Sequence, residues 1–209
     1  MEFESIYQNV IDGNAPAVQA GVQAALASGA SADTILQDAL IKAMQEVGRR
    51  YEIGDLYVPE MLIAARAMQA GLNVLKPLLV AGGVQAAGRV VIGTVHGDLH
   101  DIGKNLVGMM LEGAGIEVKD LGNDVSPEKF VQAAQDGAQI IAMSALLTTT
   151  MASMKKTIDA LEKAGVRNKV KVIIGGAPVT SAYAKQIGAD GYAPDASSAS
   201  RLVKELVGA

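Results

Sequence analysis

The chain has 209 residues, with 18 Lys or Arg against 22 Asp or Glu, so its formal net charge is −4. It has no block of like charges that could follow a phosphate backbone, which argues against nucleic acid as a partner, and the absence of Cys excludes disulfides, thiolate metal sites and cysteine nucleophiles. The N-terminus is acidic and no apolar stretch reaches about 18 residues, so we expect a cytoplasmic protein with no membrane partner.

Residues 1–80 show helical periodicity without strands, and we interpret them as a four-helix bundle that forms its own domain. Asn14 is placed to cap one helix, and Ser31 or Asp33 to cap the next. A longer helix follows, which Lys76-Pro77 is expected to end or kink. Antiparallel packing is the simplest arrangement for four such helices.

The period of the apolar residues changes after a glycine-rich segment at 81–88, which we interpret as a linker. Five short apolar runs then alternate with amphipathic stretches long enough for helices: Val90–Val95, Ile116–Leu121, Gln139–Ser144, Val170–Ile174 and Ala189–Tyr192. Runs this rich in Val and Ile suit strands that are buried on both faces. Residues 89–209 are therefore predicted to form an α/β domain, a doubly wound parallel sheet with the flavodoxin-like order 2-1-3-4-5.

The binding site of such a sheet lies beyond the carboxyl ends of its strands, where the chain reverses direction across the sheet. With this strand order the reversal falls between the first and third strands. The loop after the first strand, residues 94–103, contains both histidines of the chain, His96 and His100. The loop after the third strand spans 144–150, and Gly175-Gly176 follows the fourth strand. We predict the site at these three loops.

Asp98 and His100 allow two interpretations at this point. Either residue could cap the helix that begins near Asp101, an ordinary role between a strand and a helix. Alternatively His100 binds a metal, because a metal-ligating His usually donates its other ring N–H to a carboxylate. Zinc is disfavoured, since no further His or Cys could complete its ligands. A flavin or nucleotide is disfavoured because the first turn lacks the glycine patterns of phosphate-binding loops.

Three spaced motifs resemble the cobalamin-binding domain of corrinoid methyltransferase systems, whose relatives include the cobalamin module of methionine synthase. Asp98-Leu99-His100-Asp101-Ile102-Gly103 resembles the family's D-x-H-x-x-G, Ser144-Ala145-Leu146 its S-x-L, and Gly175-Gly176 its GG. Forty residues separate the first motif from the second, and twenty-eight the second from the third. Val47-Gly48 and Tyr57-Val58-Pro59-Glu60 resemble the helical cap that precedes this domain, so the resemblance covers nearly the whole chain.

The resemblance implies a cobalamin or related corrinoid that is bound base-off and His-on. His100 would be the lower axial ligand of cobalt, in place of the cofactor's own dimethylbenzimidazole base. Asp98 would hold the other imidazole nitrogen, and Thr150 would supply the hydroxyl that continues this pair toward solvent. Many relatives have Ser at the position of Thr150, so its added methyl group distinguishes this chain. We expect His96 not to be a ligand.

Further positions follow from the same resemblance. Ser144 and Leu146 would line the slot for the nucleotide tail, with Thr148 near the corrin ring. Space beside the backbone for the tail and additional cofactor contacts are expected at Gly103, Gly175, Gly176, Asp101, Tyr192 and Ala193. Asp195 is either a tail contact or part of an ordinary turn. Weaker candidates for an apolar lid over the reactive face are Tyr57, Met61 and Leu62.

The resemblance also implies a methyl carrier that is not catalytic alone. It would accept a methyl group on cobalt from a donor held by a substrate-specific methyltransferase subunit, and pass it to an acceptor such as tetrahydrofolate or coenzyme M on an acceptor methyltransferase. A reductive activation protein is a third implied partner. The cap would protect the reactive face and move about residues 81–88. The alternative is a cobalamin-dependent sensor or regulatory module, against which the lack of a DNA-binding segment counts.

Overall fold

The structure is a computed structural model that describes residues 2–81 and 88–208. The described residues form two compact units: one contains the N-terminal helices together with Glu112–Gly115, and the other contains the rest of the C-terminal half. The predicted linker lies outside the described residues, apart from its two end positions. No helix in the described part of the chain is long and apolar enough to cross a membrane.

The N-terminal unit consists of helices, as predicted. Its elements are α1 (Glu2–Ile11), α2 (Ala15–Ala27), α3 (Ala32–Ile35), a π-helical stretch (Leu36–Ile41), α4 (Lys42–Glu52) and α5 (Val58–Ala81). Because α3, the π-helical stretch and α4 follow one another without a break, they amount to one helical segment, and the described residues of this unit contain four such segments. The side chains of Asn14 and Ser31 accept backbone N–H groups at the starts of α2 and α3, which confirms both predicted caps.

Helix α5 does not end at Pro77, so that part of the prediction is wrong. The helix continues to Ala81. Proline lacks the N–H that would bond the carbonyl four residues earlier, and this removes one hydrogen bond from the helix. Buried apolar side chains on both sides of Pro77, Leu75 and Leu79, anchor the helix on either side of the missing bond.

The C-terminal unit is a parallel sheet with helices between its strands. Its strands are β1 (Arg89–Thr94), β2 (Glu117–Asp120), β3 (Ile140–Ser144), β4 (Lys171–Gly175) and β5 (Gly191–Tyr192), and its α-helices are α6 (Ile102–Gly113), α7 (Pro127–Gln135), α8 (Ala152–Lys163), α9 (Ser181–Ile187) and α10 (Ala196–Val207). The strand order is β2-β1-β3-β4-β5, which confirms the predicted topology. The apolar residues of β1, β3 and β4 are buried, as expected of strands covered on both faces.

The two edge strands are shorter than their apolar runs. β2 begins one residue later than predicted because the N–H of Ile116 bonds the carbonyl of Leu111 in the turn that ends α6. β5 is reduced to Gly191–Tyr192. An edge strand pairs on one side only, so apolar content alone does not determine how far its ladder extends.

The register of the central strands positions the site. Thr94, the last residue of β1, lies opposite Ser144 in β3, and Ser144 lies opposite Gly175 in β4. The three strands therefore end level with one another, and the loops that follow them begin side by side at the carboxyl edge of the sheet.

Candidate functional site

Asp98 is the buried centre of the group of residues at this edge. Its side chain has no exposed area. One carboxylate oxygen, Oδ1, lies 2.7 Å from Nδ1 of His100 and accepts the His100 backbone N–H at 3.1 Å. The other oxygen, Oδ2, accepts the Thr150 hydroxyl at 2.6 Å and the N–H groups of Leu146 and Leu147 at 2.8 and 3.3 Å. The carboxylate thus joins the loop after β1 to the loop after β3.

These hydrogen bonds determine the charge of Asp98 and the tautomer of His100. Burial alone would raise the pKa of Asp98, but hydrogen bonds from the Thr150 hydroxyl, the Leu146 N–H and His100 stabilise the carboxylate and lower its pKa well below the ordinary value. Asp98 is therefore ionised at neutral pH, and Nδ1 of His100 carries the hydrogen that it accepts. In the neutral ring this leaves Nε2 with a free lone pair, which a metal requires of an imidazole ligand.

Apolar side chains with large exposed areas accompany His100, whose own side chain is 50% exposed. Leu99 on its own loop is 69% exposed and Ile102, the first residue of α6, is 79% exposed. Leu146 and Leu147 on the neighbouring loop are 44% and 43% exposed. Exposed large apolar residues that occur together mark a binding surface. The free imidazole nitrogen therefore belongs to a region suited to an apolar ligand.

The two glycines at the end of β4, Gly175 and Gly176, are required by the close approach of neighbouring loops. A Cβ atom on Gly176, whose φ is +127°, would lie 1.9 Å from the carbonyl oxygen of Ala145, and one on Gly175 would lie 2.9 Å from that of Ala193. Gly103 differs, since a Cβ atom there would meet no atom within 4 Å. Gly175 and Gly176 therefore make room for this chain's own backbone, while the space beside Gly103 is open.

The remaining predicted positions also fall at the carboxyl edge. Asp101 directly precedes α6, Thr148 is exposed on the loop after β3, Tyr192 ends β5 and Ala193 is buried directly after it. Asp195 caps α10 by accepting the Ser198 N–H at 2.8 Å, a helix cap where the sequence suggested a tail contact or an ordinary turn.

The three lid candidates of the N-terminal unit differ in exposure. Tyr57 is 69% exposed and Met61 is fully buried, while Leu62 is half-buried. Met61 has no surface to offer a ligand, because it is one of the buried side chains of α5. Tyr57 has the largest exposed fraction of the three.

Several polar residues that fix the loop after β1 were missed from the sequence. The Thr94 hydroxyl donates to the His100 carbonyl at 2.8 Å, and Asp124 accepts the Gly97 N–H at 2.7 Å. His96 pairs with Asp124 at 2.8 Å, so the two histidines have separate carboxylate partners. The residues around Asp124 indicate a turn after the second strand, but a turn pattern does not reveal which other loop the turn contacts.

The chain is similar to known proteins over both of its units. A B12 binding domain family matches residues 88–201, and a second B12 binding domain family matches residues 2–76. A corrinoid protein of Desulfitobacterium hafniense is 39% identical over 210 residues, which cover 99% of this chain and 97% of that protein. Dimethylamine corrinoid protein 3 of Methanosarcina mazei is 49% identical over 166 residues, or 78% of this chain and 99% of the relative.

Two solved structures are similar over almost the whole chain. A cobalamin-binding protein from Desulfitobacterium hafniense matches with a TM-score of 0.81 and 31% identity, covering 99% of this chain and 98% of that chain. The methanol:cobalamin methyltransferase complex MtaBC from Methanosarcina barkeri matches with a TM-score of 0.88 and 31% identity, covering 99% of this chain and 80% of that chain. The chain therefore belongs to the B12-binding corrinoid proteins of methyltransferase systems, in which a helical cap precedes the B12-binding domain.

Proposed function

We propose that this protein is a methyl carrier that holds a corrinoid base-off, through the imidazole of His100, and serves a substrate-specific methyltransferase and an acceptor methyltransferase in turn. The observation that carries the proposal is the His100 ring, which is held at Nδ1 by the buried carboxylate of Asp98 and is half exposed. An imidazole fixed in this way has the orientation, tautomer and basicity of a metal ligand.

The residues of the site fit a corrinoid. A flat apolar macrocycle beside His100 would cover the exposed apolar surface of Leu99, Ile102 and Leu146. The open space beside Gly103 suits the path of a nucleotide tail along the start of α6. When bound, the corrinoid supplies a cobalt centre that accepts a methyl group from a donor and gives it up to an acceptor.

The chain's own residues control the charge and position of the ligand. The ionised Asp98 makes Nε2 of His100 more electron-rich and holds the ring in place. The same carboxylate stabilises the ring when Nε2 carries a proton, so His100 can exchange a proton for a metal without leaving its position. Thr150 fixes Asp98 through the 2.6 Å hydrogen bond to Oδ2, and it keeps that carboxylate free of competing protonation.

We propose a methylated amine as the donor, because dimethylamine corrinoid proteins of Methanosarcina are 44% to 49% identical to this chain over 166 to 176 residues. The acceptor would be coenzyme M or tetrahydrofolate, each on its own methyltransferase. A reductive activation protein would restore carriers that had been oxidised.

Transfer of a labelled methyl group tests this function. The protein loaded with cobalamin is reduced, mixed with a dimethylamine methyltransferase and ¹⁴C-dimethylamine, and desalted. We expect about one labelled methyl group per bound corrinoid in wild type and in the His96→Ala variant. The label should be released when an acceptor methyltransferase and its acceptor are added. Retention of corrinoid without label from dimethylamine, monomethylamine or methanol systems would overturn the carrier function and favour a sensor.

A further inference from the structure

The segment Leu121–Asp124, which follows β2 and is called the β2 loop below, bonds consecutive residues of the loop that contains His100. Oδ1 of Asp124 accepts the Gly97 N–H at 2.7 Å and lies 2.8 Å from Nδ1 of His96. The Asp124 N–H donates to the Asp98 carbonyl at 2.9 Å, and the Asn123 amide donates to the Leu99 carbonyl at 3.2 Å. Each residue from 96 to 99 therefore has a bond to Asn123 or Asp124.

Asp124 makes these contacts from an unusual backbone conformation. Its φ is +50°, and it is the one non-glycine residue with positive φ among the residues that the structure describes. Left-handed backbone is unfavourable for residues with a side chain, although Asp tolerates it better than most. Such a conformation persists when surrounding contacts enforce it, and it is concentrated at functional sites.

The β2 loop is itself fixed to the sheet. The N–H groups of Leu121 and Val125 donate to the carbonyls of Ile92 and Thr94, and the Thr94 N–H donates to Gly122, with distances of 2.8 to 3.0 Å. Val125 is fully buried. The sheet therefore holds the β2 loop, and the β2 loop can hold residues 96–99 whether or not a ligand is bound.

We propose that Asp124 is a positioning residue that presets the Asp98-His100 loop for the corrinoid before the corrinoid binds. This inference rests on the proposed function, because it assigns Asp124 a role at the same site. Asp124 acts through its hydrogen bond from the Gly97 N–H. The Gly97 N–H lowers the pKa of Asp124 by more than burial raises it, so the side chain accepts this hydrogen bond as a carboxylate.

A loop that is only partly populated in its binding conformation weakens affinity by the inverse of that population. Asp124→Gly removes the carboxylate while permitting positive φ without steric cost. We expect cobalamin to bind this variant about tenfold more weakly, with a Tm within about 3 °C of wild type. Asp124→Asn keeps an oxygen for the Gly97 N–H and tolerates the same backbone, so its affinity should stay within about threefold of wild type.

The experiment measures hydroxocobalamin affinity by absorption titration and records the histidine ring signals of the free protein by NMR. The chain has two histidines, both in the relevant loop, so few signals need assignment. We expect one sharp set for His100 in wild type and broadened or multiple sets in Asp124→Gly. Asp136→Gly is the matched control, because Asp136 is an exposed Asp between α7 and β3, at the opposite edge of the sheet.

Wild-type affinity and a single sharp His100 set in Asp124→Gly would overturn the inference. An equal loss of cobalamin affinity in Asp136→Gly would also overturn it, since that loss would reflect general destabilisation. If Asp124→Gly fails to fold, Asn123→Ala removes the Leu99 contact alone, and unchanged affinity and signals there would count against the inference. Failure of wild type to bind cobalamin would instead overturn the proposed function, while the NMR comparison would still test whether Asp124 presets the loop.

Discussion

Replacing Thr150 by Val removes one hydroxyl from the buried site at nearly constant volume. The Thr150 side chain is 7% exposed, and its hydroxyl lies 2.6 Å from Oδ2 of Asp98 and 2.9 Å from the Leu147 carbonyl. A hydrogen bond to a charged group contributes about 1.5–3 kcal/mol. Because Val would also place a methyl group against a buried carboxylate, we expect Thr150→Val to lower the free energy of unfolding of the C-terminal unit by about 2–3 kcal/mol.

Thr150→Ser is the matched control, since it keeps the hydroxyl and removes a single methyl group. Thr150→Ser should lower the free energy of unfolding by about 1 kcal/mol or less. Urea denaturation followed by the ring signals of His96 and His100 reports on the C-terminal unit alone, because both histidines lie there. A Thr150→Val variant as stable as wild type, or a Thr150→Ser variant equally impaired, would refute the assignment of the hydroxyl to Asp98.

Three further predictions concern other contacts at this edge of the sheet. Gly176→Ala should lower the free energy of unfolding by at least about 3 kcal/mol, measured by thermal denaturation. Gly165 also has positive φ but no neighbouring atom within 4 Å of an added Cβ, so Gly165→Ala should lower it by about 1 kcal/mol. Equal decreases in the two variants would contradict the close approach at Gly176. Asp120→Ala should lower the free energy of unfolding more than Lys104→Met does. The Lys104 side chain is 1% exposed, and Asp120→Ala leaves its buried ammonium without the paired carboxylate. A lower urea midpoint for Lys104→Met than for Asp120→Ala would disprove this. The lowered pKa of Asp98 makes the stabilising contribution of its carboxylate complete above the unfolded value near about 4 and lost as pH falls toward the folded value. The difference in urea midpoint between wild type and Asp98→Asn should therefore narrow below about pH 4. A difference that does not narrow there would count against an ionised Asp98.

The strand order and the place of the site could be predicted from the sequence. The runs that became β1, β3 and β4 are rich in Val and Ile because both faces of these strands are covered. Once the order was set, the general geometry of parallel sheets placed Thr94, Ser144 and Gly175 at one edge. The three motifs that suggested a corrinoid begin at or shortly after the carboxyl ends of these strands, so pattern and topology indicated the same place.

The contacts that support the site could not be predicted in this way. Asp124 and Gly97 are 27 residues apart in the chain, and their pairing depends on how the turn after β2 is folded. Pro77 was expected to end or kink its helix, because the rule for proline concerns local hydrogen bonds, whereas α5 continues to Ala81 with buried side chains on both sides of Pro77. Met61 follows a helical apolar pattern that core and lid residues share, so the sequence alone did not reveal that it is buried.

The visible absorption spectrum of the protein, incubated with cobalamin and desalted, tests the role of His100 most directly. Wild type and His96→Ala should retain the cofactor with a base-off, histidine-ligated spectrum, and His100→Ala should lose that spectrum. A His100→Ala spectrum identical to that of wild type would contradict ligation by His100. A wild-type protein that retains no corrinoid would contradict corrinoid binding itself and direct attention to flavins and nucleotides at the same edge of the sheet.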